Sequence, residues 1–152
     1  MSEVSRTARV GDVGEHVLIA EITRRLGQGQ SALVGIGDDA AVISLSEPSV
    51  AVSTDVLVQD RHFRLSWSTA SDIGQRVAGA NLADVAAMGA IPTCLVVGLV
   101  LPPDTEVGWV LDFLDGLAAE CEGIGASVVG GDLGSHAHSF DTQSEKTQPN
   151  PP

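Results

Sequence analysis

Four places in this chain combine carboxylates with small, flexible or hydroxyl-bearing neighbours: Asp38-Asp39 within Gly35 to Ile43, Ser53-Thr54-Asp55, Asn81 with Asp84, and Gly130-Gly131-Asp132. Carboxylate and hydroxyl oxygens are what hard cations such as Mg2+ take, and such cations are commonly shared with the phosphates of a substrate. The two glycines before Asp132 can turn backbone N–H groups toward an anion. Taken together the four describe a metal-bridged nucleotide site. Taken singly they are plainer: Asp38-Asp39 reads as an ordinary turn, because Asp and Gly form turns for local reasons. Ser53-Thr54-Asp55 is either a solvated bend or the polar part of a strand. In a strand, Asp55 would need a metal, a strong donor or solvent, since an unpaired buried carboxylate sheds its charge. No GxxxxGK[ST] occurs, which excludes a P-loop.

The charge balance fits cations better than polyanions. Formal net charge is −12, with 20 acidic residues against 8 basic, so the summed field repels nucleic acid and anionic membranes. Lys146 is the only lysine, and no Lys or Arg lies between Arg76 and Lys146. A phosphate held by the central region must be neutralised by metal ions, backbone amides or a partner chain. Cys94 and Cys121 lack CxxC spacing and read as buried free thiols rather than a disulfide or zinc site. The first ten residues have no apolar core of a secretory signal, and the longest apolar run, Cys94 to Leu101, is too short to span a bilayer. The expectation is a soluble cytoplasmic protein with a real core, given 43% hydrophobic residues and a mean hydropathy of +0.19.

The elements that must position these groups are legible from periodicity. Residues 1–11 read as a loose arm; Asp12 with Glu15 matches a capping box, and Leu18, Ile19, Ile22 and Leu26 predict a helix from Val13 to Leu26 stopped by Gly27. Val42 to Leu45 and Val50 to Val58 predict a hairpin around Pro48. Gln59 to Arg64 is a polar loop in which a lone His62 is ordinarily solvated. Thr69 with Asp72 forms a second capping box, opening a helix that carries Asn81 and Asp84 on one face. Thr93 to Leu101 predicts a strand. A helix capped by Asp104 or Thr105 follows, with Val107, Leu111, Leu114, Leu117, Cys121 and Ile124 as its stripe and Trp109 off it. Ala126 to Val129 predicts the last strand, delivering Gly130-Gly131-Asp132, and the stretch from Ser135 has no periodicity.

The set Gly35-Ile-Gly-Asp-Asp-Ala-Ala-Val-Ile, Ser53-Thr-Asp-Val-Leu-Val, His62-Phe63, Asn81-Leu-Ala-Asp-Val-Ala-Ala-Met-Gly-Ala and Gly130-Gly-Asp132 resembles the N-terminal half of thiamine-monophosphate kinases. These belong to the wider superfamily of aminoimidazole ribonucleotide synthetases. The resemblance covers residues 12–134 with the motifs in order. Selenophosphate synthetases and hydrogenase maturation relatives fit less well, because their reactive cysteine and lysine positions are not matched.

The resemblance implies an α+β fold, a mixed sheet with helices on one face. It implies ATP-dependent phosphorylation of thiamine monophosphate to thiamine diphosphate, by direct transfer with several Mg2+ ions. On matching positions, Asp39, Ser53, Thr54, Asp55, Asp84 and Asp132 look like metal ligands, His62 like a substrate contact, and Gly131 with Asp132 like part of the ATP phosphate site. Asp38 matches the motif without an assigned role. Such chemistry asks mainly for positioning and charge neutralisation. The implied organisation is a flexible arm at 1–11, an ATP- and Mg-binding and dimerisation domain at 12–134, and a disordered tail at 135–152 outside the family pattern. The family's C-terminal domain has no counterpart here, so the chain reads as a truncated or frame-shifted copy or a fragment. The implied partners are ATP, thiamine monophosphate and a second copy of the chain, with no nucleic acid and no membrane. The alternative is a catalytically inactive truncated fragment, at most a Mg-nucleotide-binding or dimerisation module.

Overall fold

The computed structural model of the chain describes residues 4–135 apart from 28, 30, 31, 38, 39 and 46. The expected ligand Asp39, its neighbour Asp38 and the tail from residue 136 lie outside the described residues.

The core is built by two helices, α2 (Ala70–Ala87) and α3 (Val107–Glu122), packed on a parallel strand pair, β3 (Cys94–Leu101) and β4 (Ser127–Ser135), so that α3 is the crossover of a βαβ unit. Val107, Val110, Leu111, Leu114, Leu117 and Cys121 of α3 are buried as the apolar spacing predicts. Phe113 is buried too and Ile124 is exposed, so the buried face is broader than the expected stripe and ends a turn earlier. Trp109, off the stripe, is half-buried and stacks on Phe113 at 5.6 Å between ring centroids. The two helices approach closely because each puts a glycine at the crossing. A Cβ on Gly74 would lie 2.1 Å from the Phe113 carbonyl oxygen, and one on Gly116 would lie 2.0 Å from that of Ser71.

The other two strands, β1 (Ala32–Val34) and β2 (Val42–Ile43), form a separate antiparallel pair. The fold class is the expected α+β, with helices on one face of β3–β4, and among the described residues the strands form two two-stranded sheets. The expected hairpin of Val42–Leu45 with Val50–Val58 is corrected: β2 pairs with β1, and residues 50–58 form no strand. Their apolar side chains account for the misreading. Val50, Val52, Val56 and Val58 are all exposed, Val52 at 85%, so β-propensity there is not matched by a pairing partner among the described residues.

The N-terminal segment also departs from expectation. Helix α1 (Glu15–Leu26) starts at Glu15 with Gly14 as its cap and no side-chain cap bond, so the Asp12–Glu15 capping box does not form. Asp12 is instead held in a 3-10 turn, Val10–Asp12, that two backbone bonds tie down: Val10 N–H to Thr105 O at 2.8 Å and Gly11 N–H to Pro103 O at 2.8 Å. Arg6 pairs with Asp112 at 2.5 Å, Arg9 with Glu106 at 3.3 Å, and Val10 is buried. Residues 4–11, expected as a loose arm, are docked on α3. Helix α1 is fastened by Arg25 to Asp115 on α3, and its buried Glu21 is held below the usual carboxylate range, first by the Arg24 hydrogen bond. Likewise α3 is capped by Glu106 with no side-chain bond, not by Asp104 or Thr105. Among the described residues no helix is long and apolar enough to cross a membrane.

Candidate functional site

Helix α2 is the platform. Its start is fixed by the predicted capping box: the Asp72 N–H donates to the Thr69 hydroxyl at 3.2 Å, and the Asp72 carboxylate accepts from the Thr69 N–H at 2.9 Å. The Thr69 hydroxyl, then its N–H, holds the Asp72 carboxyl below its ordinary value. From this start Asn81 and Asp84 fall one turn apart near the other end of the helix.

Residues 53–55 lie alongside that end. The Ser53 hydroxyl donates to Asp84 Oδ2 at 3.1 Å, and the Asp55 N–H donates to Asn81 Oδ1 at 3.1 Å. The Asn81 amide is oriented by its own bond from Nδ2 to Val77 O at 3.0 Å. The structure thus brings Ser53, Asp55 and Asp84 to one place, with Thr54 between them; all four are exposed. Asn81 is the residue the sequence reading left without a role, although its spacing from Asp84 was the signal. Beside them opens a cavity of about 760 Å³ lined by residues 49–55, by Val77, Asn81 and Val85 of α2 and by residues 94–98 of β3.

Asp132 comes from β4. Val128 and Val129 are consecutive strand residues and both are buried, which regular alternation forbids. A bulge between the Leu95–Val128 and Val96–Gly130 pairs resolves this, and beyond it Asp132 sits opposite Gly98 with its side chain exposed. Gly131 passes so close to β3 that a Cβ would lie 2.1 Å from the Val97 carbonyl oxygen, so glycine is required there. Asp132 does not line the cavity. Among the described residues no three His, Cys, Asp or Glu side chains gather as a metal cluster.

His62 is elsewhere. Its Nδ1 accepts the Val58 N–H at 2.9 Å, which in the neutral ring leaves the proton on Nε2. It lines a smaller hollow of about 220 Å³ with Arg61, Phe63, Arg64, Trp67 and Arg76. The sequence reading passed over these arginines, although three of the chain's 8 basic residues falling between 61 and 76 was a visible signal. Of the thiols, Cys121 is buried and pushed up to about 11 by that burial and by Glu120, while Cys94 is only half-buried; both are free.

The sequence matches the family described as AIR synthase related protein, N-terminal domain, over residues 37–148. It is 45% identical over 121 residues to the thiamine-monophosphate kinase of Mycobacterium tuberculosis (strain CDC 1551 / Oshkosh), covering 80% of this chain and 36% of that protein. To the thiamine-monophosphate kinase of Corynebacterium glutamicum it is 40% identical over 128 residues, covering 83% of this chain and 37% of that one. The crystal structure of thiamine-monophosphate kinase from Stenotrophomonas maltophilia K279a superposes with a TM-score of 0.67 at 33% identity, over 82% of this chain and 39% of that one. The chain spans about a third of the length of the curated relatives it matches.

Proposed function

The chain belongs to the AIR synthase related family through its N-terminal domain, and on that premise we propose that it takes part in the ATP-dependent phosphorylation of thiamine monophosphate to thiamine diphosphate. The observation that carries this reading is the pairing of Ser53 with Asp84 and of Asp55 with Asn81 on one end of α2. Supporting it are the relatives named as thiamine-monophosphate kinases.

The donor chemistry suits Mg2+. Ser53, Asp55, Asn81 and Asp84 offer oxygen alone, and Mg2+ is commonly held by one or two carboxylates together with waters and substrate phosphates. In this reading Ser53, Thr54, Asp55 and Asp84 hold Mg2+, joined by Asp39 and by Asp132. Gly131 and Asp132 meet the ATP phosphates, and His62 contacts the thiamine phosphate. The ions supply neutralisation of phosphoryl charge when bound. The chain's part is to hold its carboxylates fixed: Ser53 donates to Asp84 and keeps one lone pair of that carboxylate engaged, while the Asp55 N–H anchors its segment to α2. The free thiols agree with a cytoplasmic setting.

Incubation with ATP, Mg2+ and thiamine monophosphate, followed by chromatography for thiamine diphosphate, tests the proposal. Product that disappears in Asp84→Asn is the expected result. No product at high protein concentration leaves a second reading, a silent Mg-nucleotide-binding and dimerisation module. The observation favouring that one is the apolar face of β3 that is uncovered among the described residues, where Val96 and Val100 are each 69% exposed. Sedimentation giving a monomer, together with no heat on titrating Mg-ATP, would remove it.

A further inference from the structure

Seven arginines occur in the chain, and they divide in two. Arg6, Arg9, Arg24 and Arg25 are each ion-paired, with Asp112, Glu106, Glu21 and Asp115. Arg61, Arg64 and Arg76 have no such pair among the described residues, and all three line the same hollow of about 220 Å³. In a chain of net charge −12, three arginines at one spot that form no ion pair among the described residues are the reverse of what indiscriminate pairing produces.

The hollow is built to stay open. Residues 58–68 are folded on themselves by backbone bonds, His62 N–H to Val58 O at 2.8 Å, Asp60 N–H to Phe63 O at 2.7 Å and Trp67 N–H to Arg64 O at 3.0 Å. Asp60 takes a left-handed φ of 64° to close the turn. Arg64 is laid over the Trp67 ring at 4.5 Å from its centroid, which holds a long side chain in place by cation–π attraction. Arg76 stands on α2, and His62 Nε2–H and the Ser68 hydroxyl add neutral donors. The single carboxylate on the wall, Asp60, accepts from Gln59 Nε2 at 3.3 Å.

We propose that this arginine-lined hollow binds a phosphate-class oxyanion directly, without a metal ion. Guanidinium forks match phosphate oxygens in geometry, and hydrogen bonds between charged partners are the strong ones. The site shares only His62 with the kinase reading and does not depend on the carboxylates of residues 53–84.

Trp67, 75% exposed and beneath Arg64, reports occupancy. In a Trp109→Phe background its emission is followed while inorganic pyrophosphate is added in EDTA, with thiamine monophosphate and unphosphorylated thiamine as parallel arms. The expected result is a saturable change with pyrophosphate that weakens as salt is raised. The combined variant Arg61→Gln, Arg64→Gln, Arg76→Gln should raise the dissociation constant roughly tenfold or more, and Arg76→Gln alone, which leaves the Arg64–Trp67 contact intact, should raise it in the same direction. Asp84→Asn should leave it unchanged, which separates this site from the proposed Mg2+ site. Competition by thiamine monophosphate but not thiamine would assign the anion to the substrate; absence of competition would assign it to free phosphate or diphosphate. No change at millimolar pyrophosphate, binding that requires Mg2+, or affinity untouched by the arginine substitutions overturns the proposal.

Discussion

On one face of β3, Leu95, Val97 and Leu99 pack against the core made by α2 and α3; on the other, Val96 and Val100 are exposed at 69% each. The strand is apolar on both sides, the composition of a strand covered on both sides, yet helices cover one. The difference separates what holds the chain together from what it offers outward. The covered face carries a fully buried Leu117 and the glycine crossing of α2 and α3. The open face is uncovered among the described residues, and its Val96 lines a cavity together with residues 49–55, the exposed Val50 and Val52 among them.

Substitutions can break that division or sharpen it. Leu117→Ala should have the largest effect, a loss of about 2–5 kcal/mol in unfolding free energy by urea titration, since it empties space in the covered core. Gly116→Ala should follow, losing about 1–3 kcal/mol, because the obstructing atom is the Ser71 backbone oxygen and a helix must move. Thr69→Ala should cost about 1 kcal/mol through the lost α2 cap. The sign of its pH dependence is fixed: Asp72's folded pKa is lowered from 3.8, so its contribution is present above that value and lost as pH falls through the folded one. Thr69→Ala should therefore flatten the acid limb of the stability curve. Val96→Ser, on the open face, and Asp84→Asn, exposed near the end of α2, should each shift the monomer's unfolding by no more than about 0.5 kcal/mol. Were Val96→Ser to unfold the chain as Leu117→Ala does, the open face would be part of the core after all. Least of all, a thiol reagent at neutral pH should modify Cys94 well before Cys121, whose burial pushes it up to about 11.

The same division governs what could be read from the sequence. The start of helix α2 was legible because Thr69, Asp72 and the apolar spacing are local signals. The existence and order of β3 and α3, and the one-face relation of Asn81 and Asp84, were legible too. What failed depended on distant partners. Asp12 and Glu15 spell a capping box, but the bonds of Val10 and Gly11 to the 103–105 turn hold Asp12 in a different turn. Val50 to Val58 spell a strand, but a strand requires a neighbour, and β2 turns to residues 32–34 instead. The arginine hollow was missed because an unpaired charge is defined by what is not near it in space, which spacing cannot reveal.

The bulge at Val129 has a consequence of parity. In a pleated strand the face on which a side chain emerges is settled by counting, odd or even, from a fixed point, and the extra residue in β4 changes the count by one. Leu133 then faces the core and Asp132 the open side. Deleting Val129 would remove the extra residue and the bulge together, leaving Gly130 opposite Val96 and Asp132 still on the open side; flattening the bulge with Val129 kept would instead send Asp132 toward the helices and Leu133 into water. The carboxylate's address is thus written as arithmetic upstream of it, in one apolar residue more on β4 than on β3.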